Sequence, residues 1–371
     1  MEAASLIPPG YRDASAPVLM GAGGEAPRGI PGLVYFKTSG STGEPKWVGL
    51  DRRALQVSAA AVNRHLGVDA ASVWALALPL EHVGGFGVVL RALEAGCGVE
   101  RFERKWSAPA FATWLGAVRA TQLSLVPTQV HDLVVAGLRA PDCLRAVVVG
   151  GGCLPHADGR AARELGWPVL ASYGMTEAAS QVATQSLELL DLPYSPEPLG
   201  LLPCWEARSG PSGRIEIRGE ALFRGFLRHG ESGWNFEERE GDWFVTSDTG
   251  TVEGREVRIA GRADARVKIL GEMVDPAVVL AEIVAASAGG MGGRELAVVA
   301  VDDARAGKRL VLVHEEGVSP CLIERTLSAY HSVCPGFRRI TATVPVGRIP
   351  RSPLGKPLAS ELSRIAADAV N

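Results

Sequence analysis

The feature that most constrains the fold is an alternation of apolar runs with helix-period segments between residues 73 and 174. VWALAL (73–78) precedes GFGVVLRALEAG (85–96), and TQLSLV (121–126) precedes a helical stretch near 128–138. LRAVVVG (144–150) precedes PHADGRAAREL (155–165), and PVLASYG (168–174) precedes a further turn and helix. A strand made of consecutive apolar residues has no wet face, so it is buried on both sides. Strands of that kind with helices between them form βαβ units in a parallel sheet. With 371 residues, 47% hydrophobic and 21% charged, the chain can bury a large core in more than one domain.

Other stretches read differently. Residues 1–32 are rich in Gly, Pro and Ala and predict an irregular lead-in or surface strap. An apolar strand (Leu33 to Phe36), a Ser/Gly/Thr loop and a helix over 55–66 follow. After about residue 195 come short strands with glycine turns (GRIEIRG, DWFVTSD, REVRIAG), the pattern of an antiparallel subdomain. Beyond Arg262 the order is strand (ARVKIL), helix (276–287), strands (295–301, 309–313), helix (320–331), strand (337–344) and terminal helix. The expected domains are therefore 1–261 and 262–371, the second a compact α+β unit.

Composition excludes several classes. A net charge of −3 gives no electrostatic case for nucleic acid or an anionic membrane. No apolar run has bilayer-spanning length, and MEAASLIPPGYRDASAP lacks the basic start and apolar core of a signal peptide. Cys97, Cys143, Cys153, Cys204, Cys321 and Cys334 are scattered, with no C-x-x-C pair, which favours reduced thiols over zinc or disulfides. A cytoplasmic protein is expected.

Several stretches carry chemistry. Thr38 to Lys46 (TSGSTGEPK) combines glycines for close backbone approach with hydroxyls and a lysine that donate to phosphate oxygens. It is not the G-x-x-x-x-G-K-[ST] loop, because Lys46 follows Pro45 and precedes Trp47. In LPLEHVGGFGVVLR (78–91), His82 beside two glycines can line a pocket, although a lone histidine there is more often packed or solvated. Arg91 lies inside an otherwise apolar helix, where burial without an anion is costly and an incoming carboxylate gives a bidentate partner. VVVGGGC (147–153) runs a strand into glycines, the place where open α/β sheets bind ligands. SYGMTE (172–177) sets an aromatic, a hydroxyl and a carboxylate together, suited to a base, a phosphate and Mg²⁺. DWFVTSDTG (242–250), GRADARVKILGEMVDP (261–276) and RIPRSPLGK (348–356) complete the series.

Taken in order, these stretches resemble the motif series of the AMP-forming acyl/aryl-CoA synthetases, adenylation domains and luciferases. The family loop reads [YF]-T-S-G-[ST]-T-G-x-P-K, and Lys37 stands at its aromatic position. The resemblance implies an α/β fold with three parts: a large N-terminal domain of mostly parallel sheet, a small antiparallel subdomain, and a small mobile α+β C-terminal domain. It implies ATP, Mg²⁺ and coenzyme A, with a small carboxylic acid as co-substrate. By position, Thr38, Ser39, Gly40, Ser41, Thr42, Gly43 and Lys46 hold phosphates, Gly151 and Gly152 belong to the nucleotide site, Tyr173 packs on adenine, and Thr176 approaches the α-phosphate. Glu177 binds the metal, Asp248 the ribose, and Arg262 ribose or phosphate, while Ser247 replaces the usual glycine before that aspartate. Asp264 is the implied hinge, Gly271 lies on the loop offered to the thiol acceptor, and Lys356 neutralises the α-phosphate. His82, Arg91 and Gly174 face the acyl substrate, His82 also among the catalytic groups. Ala359 stands where the family often has an arginine.

Within the family, LPLEHVGGFGVVLRAL and LSLVPTQV are similar to the short o-succinylbenzoate–CoA ligases of menaquinone synthesis, in which an arginine at the position of Arg91 binds a substrate carboxylate. Another acid, a carrier-protein thiol acceptor, and a non-catalytic nucleotide-binding homologue remain open alternatives. The 37 residues before the loop are fewer than family members carry, so a homo-oligomer or partner is expected to cover the shortened N-terminal region.

Overall fold

The computed structural model describes residues 3–8, 10–13, 15–21, 30, 32–39, 45–230, 233–287, 289–303, 305–352 and 355–370. They form two compact units, Met1–Thr246 with Gly250–Arg258, and Ser247–Thr249 with Ile259–Asn371.

The first unit is built on five parallel strands, four of them expected and the fifth, Gly98–Arg101 (GVER), too polar to read as an apolar run. In spatial order these are Gly98–Arg101, Val73–Leu76, Gln122–Leu125, Ala146–Val149 and Val169–Met175. Every residue of Gln122–Leu125 and Ala146–Val149 is buried, as strands covered on both faces require. One face packs Leu123, Leu125, Val147 and Val149 against Phe111, Leu115 and Trp167, each burial worth about 1.5–3 kcal/mol.

The sheet then departs from the sequence reading. No helix follows Val169–Met175. A single 3-10 turn (Thr176–Ala178) leads into the strand Ser180–Thr184, which pairs antiparallel with Ser172 to Met175. Ala179 and Ser180 both have positive φ (51° and 114°), and that pair of conformations reverses the chain where a helix would continue it. Gly174 makes the return possible, since a Cβ there would lie 1.8 Å from the Ser180 carbonyl oxygen. The glycine-turn strands Leu199–Leu201, Glu256–Arg262, Phe244–Glu253, Arg214–Gly219 and Trp205–Ser209 continue this sheet to eleven strands.

A second sheet contains Val18–Met20, Leu33–Ser39, Pro45–Asp51, Gly225–Gly230 and Gly233–Glu238. The two described flanks of the phosphate-loop candidate thus lie on paired antiparallel strands, with Thr38 opposite Lys46. The lead-in is more ordered than its composition predicts. Val18–Met20 pairs parallel with Val34 to Phe36. Arg52 donates to the carbonyls of Gly10, Tyr11, Asp13, Ala16 and Gly32 at 2.5–3.1 Å. Its helix, Arg52–Leu66, starts at Asp51, whose carboxylate accepts from the Ala54 N–H at 2.6 Å.

The second unit has a three-stranded sheet, Leu296–Asp303, Gly307–Glu315 and Ile340–Val346. Alternate residues of the central strand face opposite layers. Leu310 and Leu312 pack with Val279, Ile283, Ile323 and Tyr330 of the helices Pro276–Ala286 and Pro320–Val333. Val311 and Val313 pack with Leu362 and Ala366 of Ala359–Val370. Among the described residues no helix is long and apolar enough to cross a membrane.

Candidate active site

The helix Val83–Ala95 begins at His82, which is half-buried at its N-cap and whose carbonyl accepts from Gly85 and Phe86. Gly85 is a steric requirement, because a Cβ there would sit 2.1 Å from the Pro79 carbonyl oxygen. This tight entry aims the helix so that Arg91, two turns on, is 2% exposed. Its Nη1 donates to Ser124 Oγ and its Nη2 to Ser180 Oγ, both at 3.2 Å. The Nε is buried with no hydrogen-bond partner among the described residues, and the guanidinium lies 5.3 Å from the Trp74 ring. Burial pushes the Arg91 pKa down to about 10, with no carboxylate pulling it back. A buried cation satisfied only by long hydrogen bonds to neutral hydroxyls is under-coordinated, and a carboxylate is its natural complement.

Beside it runs the second chemical stretch. Tyr173 is buried on Val169–Met175, Thr176 opens the 3-10 turn, and Glu177 follows with its side chain 15% exposed. Lys46 Nζ lies 3.1 Å from Glu177 Oε1 and 3.9 Å from the centre of the Phe226 ring. Thr38 Oγ1 donates to the Lys46 carbonyl at 3.3 Å, joining the two described flanks of the loop. Gly40, Ser41, Thr42 and Gly43 lie outside the described residues, as does the Ser39 side chain. Gly151 (φ 78°) and Gly152 are exposed just past the carboxyl end of Ala146–Val149. The structure brings Lys46 and Glu177 together across 131 residues of sequence. Among the described residues no group of three or more His, Cys, Asp or Glu could hold a metal by itself. Glu177 is a partly exposed carboxylate, a donor type suited to Mg²⁺, which takes few protein oxygens and completes its shell with phosphate and water.

The second unit gathers another set. Arg262 grips Asp264 with Nε and Nη2 (2.8 and 2.6 Å) and reaches Asp248 with Nη1 (3.5 Å). The implied hinge and ribose carboxylates thus share one guanidinium. Lys356 is exposed as a residue, yet its ammonium is close enough to this cluster to feel it. Local burial and then Arg262 lower its pKa, while Asp248 raises it. Gly271 (φ 92°) turns the hairpin Val267–Ile269/Glu272–Val274, flanked by Leu270 and Met273, which are both exposed.

Sequence reasoning missed Ser124 and Ser180 as partners of Arg91, and Phe226 beneath Lys46. Ser124 had a faint signal, a hydroxyl inside an apolar strand.

The description "AMP-binding enzyme" matches residues 33–227, more than half of the chain. The chain belongs to this family. Among relatives, a 2-succinylbenzoate–CoA ligase of Bacillus licheniformis is 30% identical over 226 residues, covering 57% of this chain and 46% of the relative. The chain thus spans about half the length of such relatives. Among solved structures, ATP-bound MatB from Rhodopseudomonas palustris superposes with a TM-score of 0.76 at 25% identity, covering 94% of this chain and 71% of that one. A variant MenE of Escherichia coli with bound OSB-AMS gives a TM-score of 0.72 at 26% identity, covering 94% and 72%. The α/β architecture, with a large sheet-bearing unit followed by a smaller one, is that of these AMP-binding enzymes.

Proposed function

We propose that this AMP-binding enzyme is an ATP-dependent, AMP-forming acid–CoA ligase whose acid carries a second carboxylate, o-succinylbenzoate being the candidate. The observation that carries the reading is Arg91, a buried cation whose partners among the described residues are two serine hydroxyls and whose Nε has none there. The names of the similar relatives support the same acid.

In this reading the substrate has two carboxylates with separate tasks. One is held by Arg91, with His82 lining the pocket at the start of the same helix. The other attacks the α-phosphorus of ATP, forming an acyl–phosphate bond as the bond to pyrophosphate breaks. Thr38 to Lys46 and Thr176 bind the phosphates by donating hydrogen bonds to charge that grows on their oxygens. Glu177 would hold Mg²⁺, which neutralises phosphate charge. For that, Lys46 exchanges its carboxylate partner for a phosphate. Asp248 accepts from the ribose hydroxyls, and Gly151, Gly152 and Tyr173 bracket the base. Lys356 supplies a cation to the α-phosphate in the first half-reaction. The Gly271 hairpin, with its apolar flanks, serves thiol attack on the acyl carbon in the second, releasing AMP. We assign the two half-reactions to these different parts of the 262–371 region.

The test measures pyrophosphate release with Mg·ATP and o-succinylbenzoate, with and without CoA, against benzoate. Release specific to the diacid, with its CoA thioester detected by mass, supports the reading. Release with benzoate alone overturns the acid, and ATP binding without release from either overturns the activity. Lys356→Ala should abolish adenylate formation and spare thioester formation from supplied adenylate; equal loss of both refutes the division of labour.

A further inference from the structure

Ser180 is the first residue of the strand after the Thr176–Ala178 turn, and nothing in the motif series singles it out. It holds φ at 114° directly after Ala179 at 51°, and neither residue is glycine. Side chains rarely adopt such conformations, and where they persist the surroundings hold them. Here the supports are visible. Ser58 Oγ donates to the Ala179 carbonyl at 3.0 Å, and the Ala179 N–H donates to the Thr176 carbonyl at 3.1 Å. The pairing of Val169–Met175 with Ser180–Thr184 shifts register between Tyr173 and Gly174, and Gly174 leaves room for the Ser180 carbonyl.

What this conformation delivers is a hydroxyl on Arg91. Ser180 Oγ accepts from Nη2 at 3.2 Å, and the space next to both is kept by Gly87, where a Cβ would lie 3.3 Å from Nη2 and 3.8 Å from Ser180 Cβ. Glycine at position 180 would adopt the same backbone without strain but has no hydroxyl. A hydroxyl that accepts from a guanidinium keeps its own proton to donate. Ser180 therefore fixes the orientation of the fork and offers a donor to whatever anion the fork binds.

We propose that Ser180 is a positioning and specificity-determining residue: held at positive φ by the turn that also carries Glu177, it sets the Arg91 guanidinium to select acids with a second carboxylate over acids without one. This rests on the reading of Arg91 given above. It further implies that the acyl-selecting and metal-binding groups share one short segment, Thr176 to Ser180.

The test compares o-succinylbenzoate with 4-oxo-4-phenylbutanoate, the same skeleton without the ring carboxylate. KM and kcat are measured for both acids in the wild type, Ser180→Ala, Ser180→Gly and Arg91→Lys. Ser180→Ala should raise KM for the diacid about tenfold more than for the monoacid, with kcat changed less than KM. Ser180→Gly should compress the same ratio while raising the thermal midpoint, because it removes the strained side chain but keeps the backbone path. That second variant keeps the test readable if the alanine folds poorly. An unchanged diacid-to-monoacid ratio in both Ser180 variants, with Arg91→Lys lowering it, overturns the role of Ser180 alone. A ratio near one in the wild type, untouched by Arg91→Lys, overturns the reading of Arg91 and this inference with it. Equal KM increases for both acids in the two Ser180 variants also overturn the inference, since they mark a general packing role.

Discussion

Replacing Arg91 with methionine separates what this side chain does for the ligand from what it does for the fold. Burial lowers its pKa from the ordinary arginine range to about 10. At about 1.4 kcal/mol per tenfold change, keeping it charged costs roughly 3 kcal/mol. The two hydrogen bonds to hydroxyls are long, at 3.2 Å, and return about 1 kcal/mol each. Methionine fills similar apolar space with no charge to solvate, so Arg91→Met should leave stability unchanged or raise it by about 1 kcal/mol. Binding should respond in the opposite sense. Removing a bidentate carboxylate partner from a desolvated site costs about 3 kcal/mol, roughly a hundredfold in KM for the diacid. All eight tryptophans lie in the first unit, so their fluorescence during chemical denaturation follows that unit alone. A loss of more than about 2 kcal/mol with an unchanged preference for the diacid would show that Arg91 serves the core instead, and the argument from its missing partner would fail.

Two further outcomes follow from other side-chain pairs. Lys46 holds Glu177 at 3.1 Å, so Lys46→Met should tighten Mn²⁺ binding to the nucleotide-free protein about tenfold, read by electron paramagnetic resonance; weaker binding would mean the lysine does not compete for that carboxylate. Lys356 has a lowered pKa, so adenylate formation should fall on the alkaline side below the ordinary lysine value of 10.5, and Asp248→Asn should move that limb lower still, because this carboxylate raises it. Folding lowers this pKa, so a protonated Lys356 costs stability in full below the folded value, and the cost fades as pH rises from there to the ordinary lysine value of 10.5. A limb that moves upward in Asp248→Asn would exclude Lys356 as the titrating group.

How much could be read from sequence depended on whether a residue's role is local. The parallel strands were legible because apolar runs such as AVVV have one physical use. Arg91 was legible because a charge in an apolar helix demands an explanation. The strand Pro45–Asp51 was not, since WVGLD is short and abuts a helix, and its partner across the hairpin defines it. The stretch after Gly174 was read as a turn and helix, whereas Ser180–Thr184 is a strand: five residues are too few to show a period, and positive φ at Ala179 and Ser180 leaves no trace in residue type. Ser180 escaped notice for the same reason: its partner is 89 residues away, and serine in a turn is ordinary until the guanidinium is beside it.

The grip of Arg52 on the lead-in has a consequence for how that segment can vary. The five groups it holds are main-chain carbonyls, which every amino acid carries, so these five hydrogen bonds in themselves ask nothing of the side chains on the residues that supply them. Substitution at an exposed position such as Asp13 still leaves a carbonyl to hold, whereas one base change at the codon for Arg52 releases all five carbonyls together. Part of the information that shapes the start of the described chain is thus stored outside it, at a single position in the helix Arg52–Leu66.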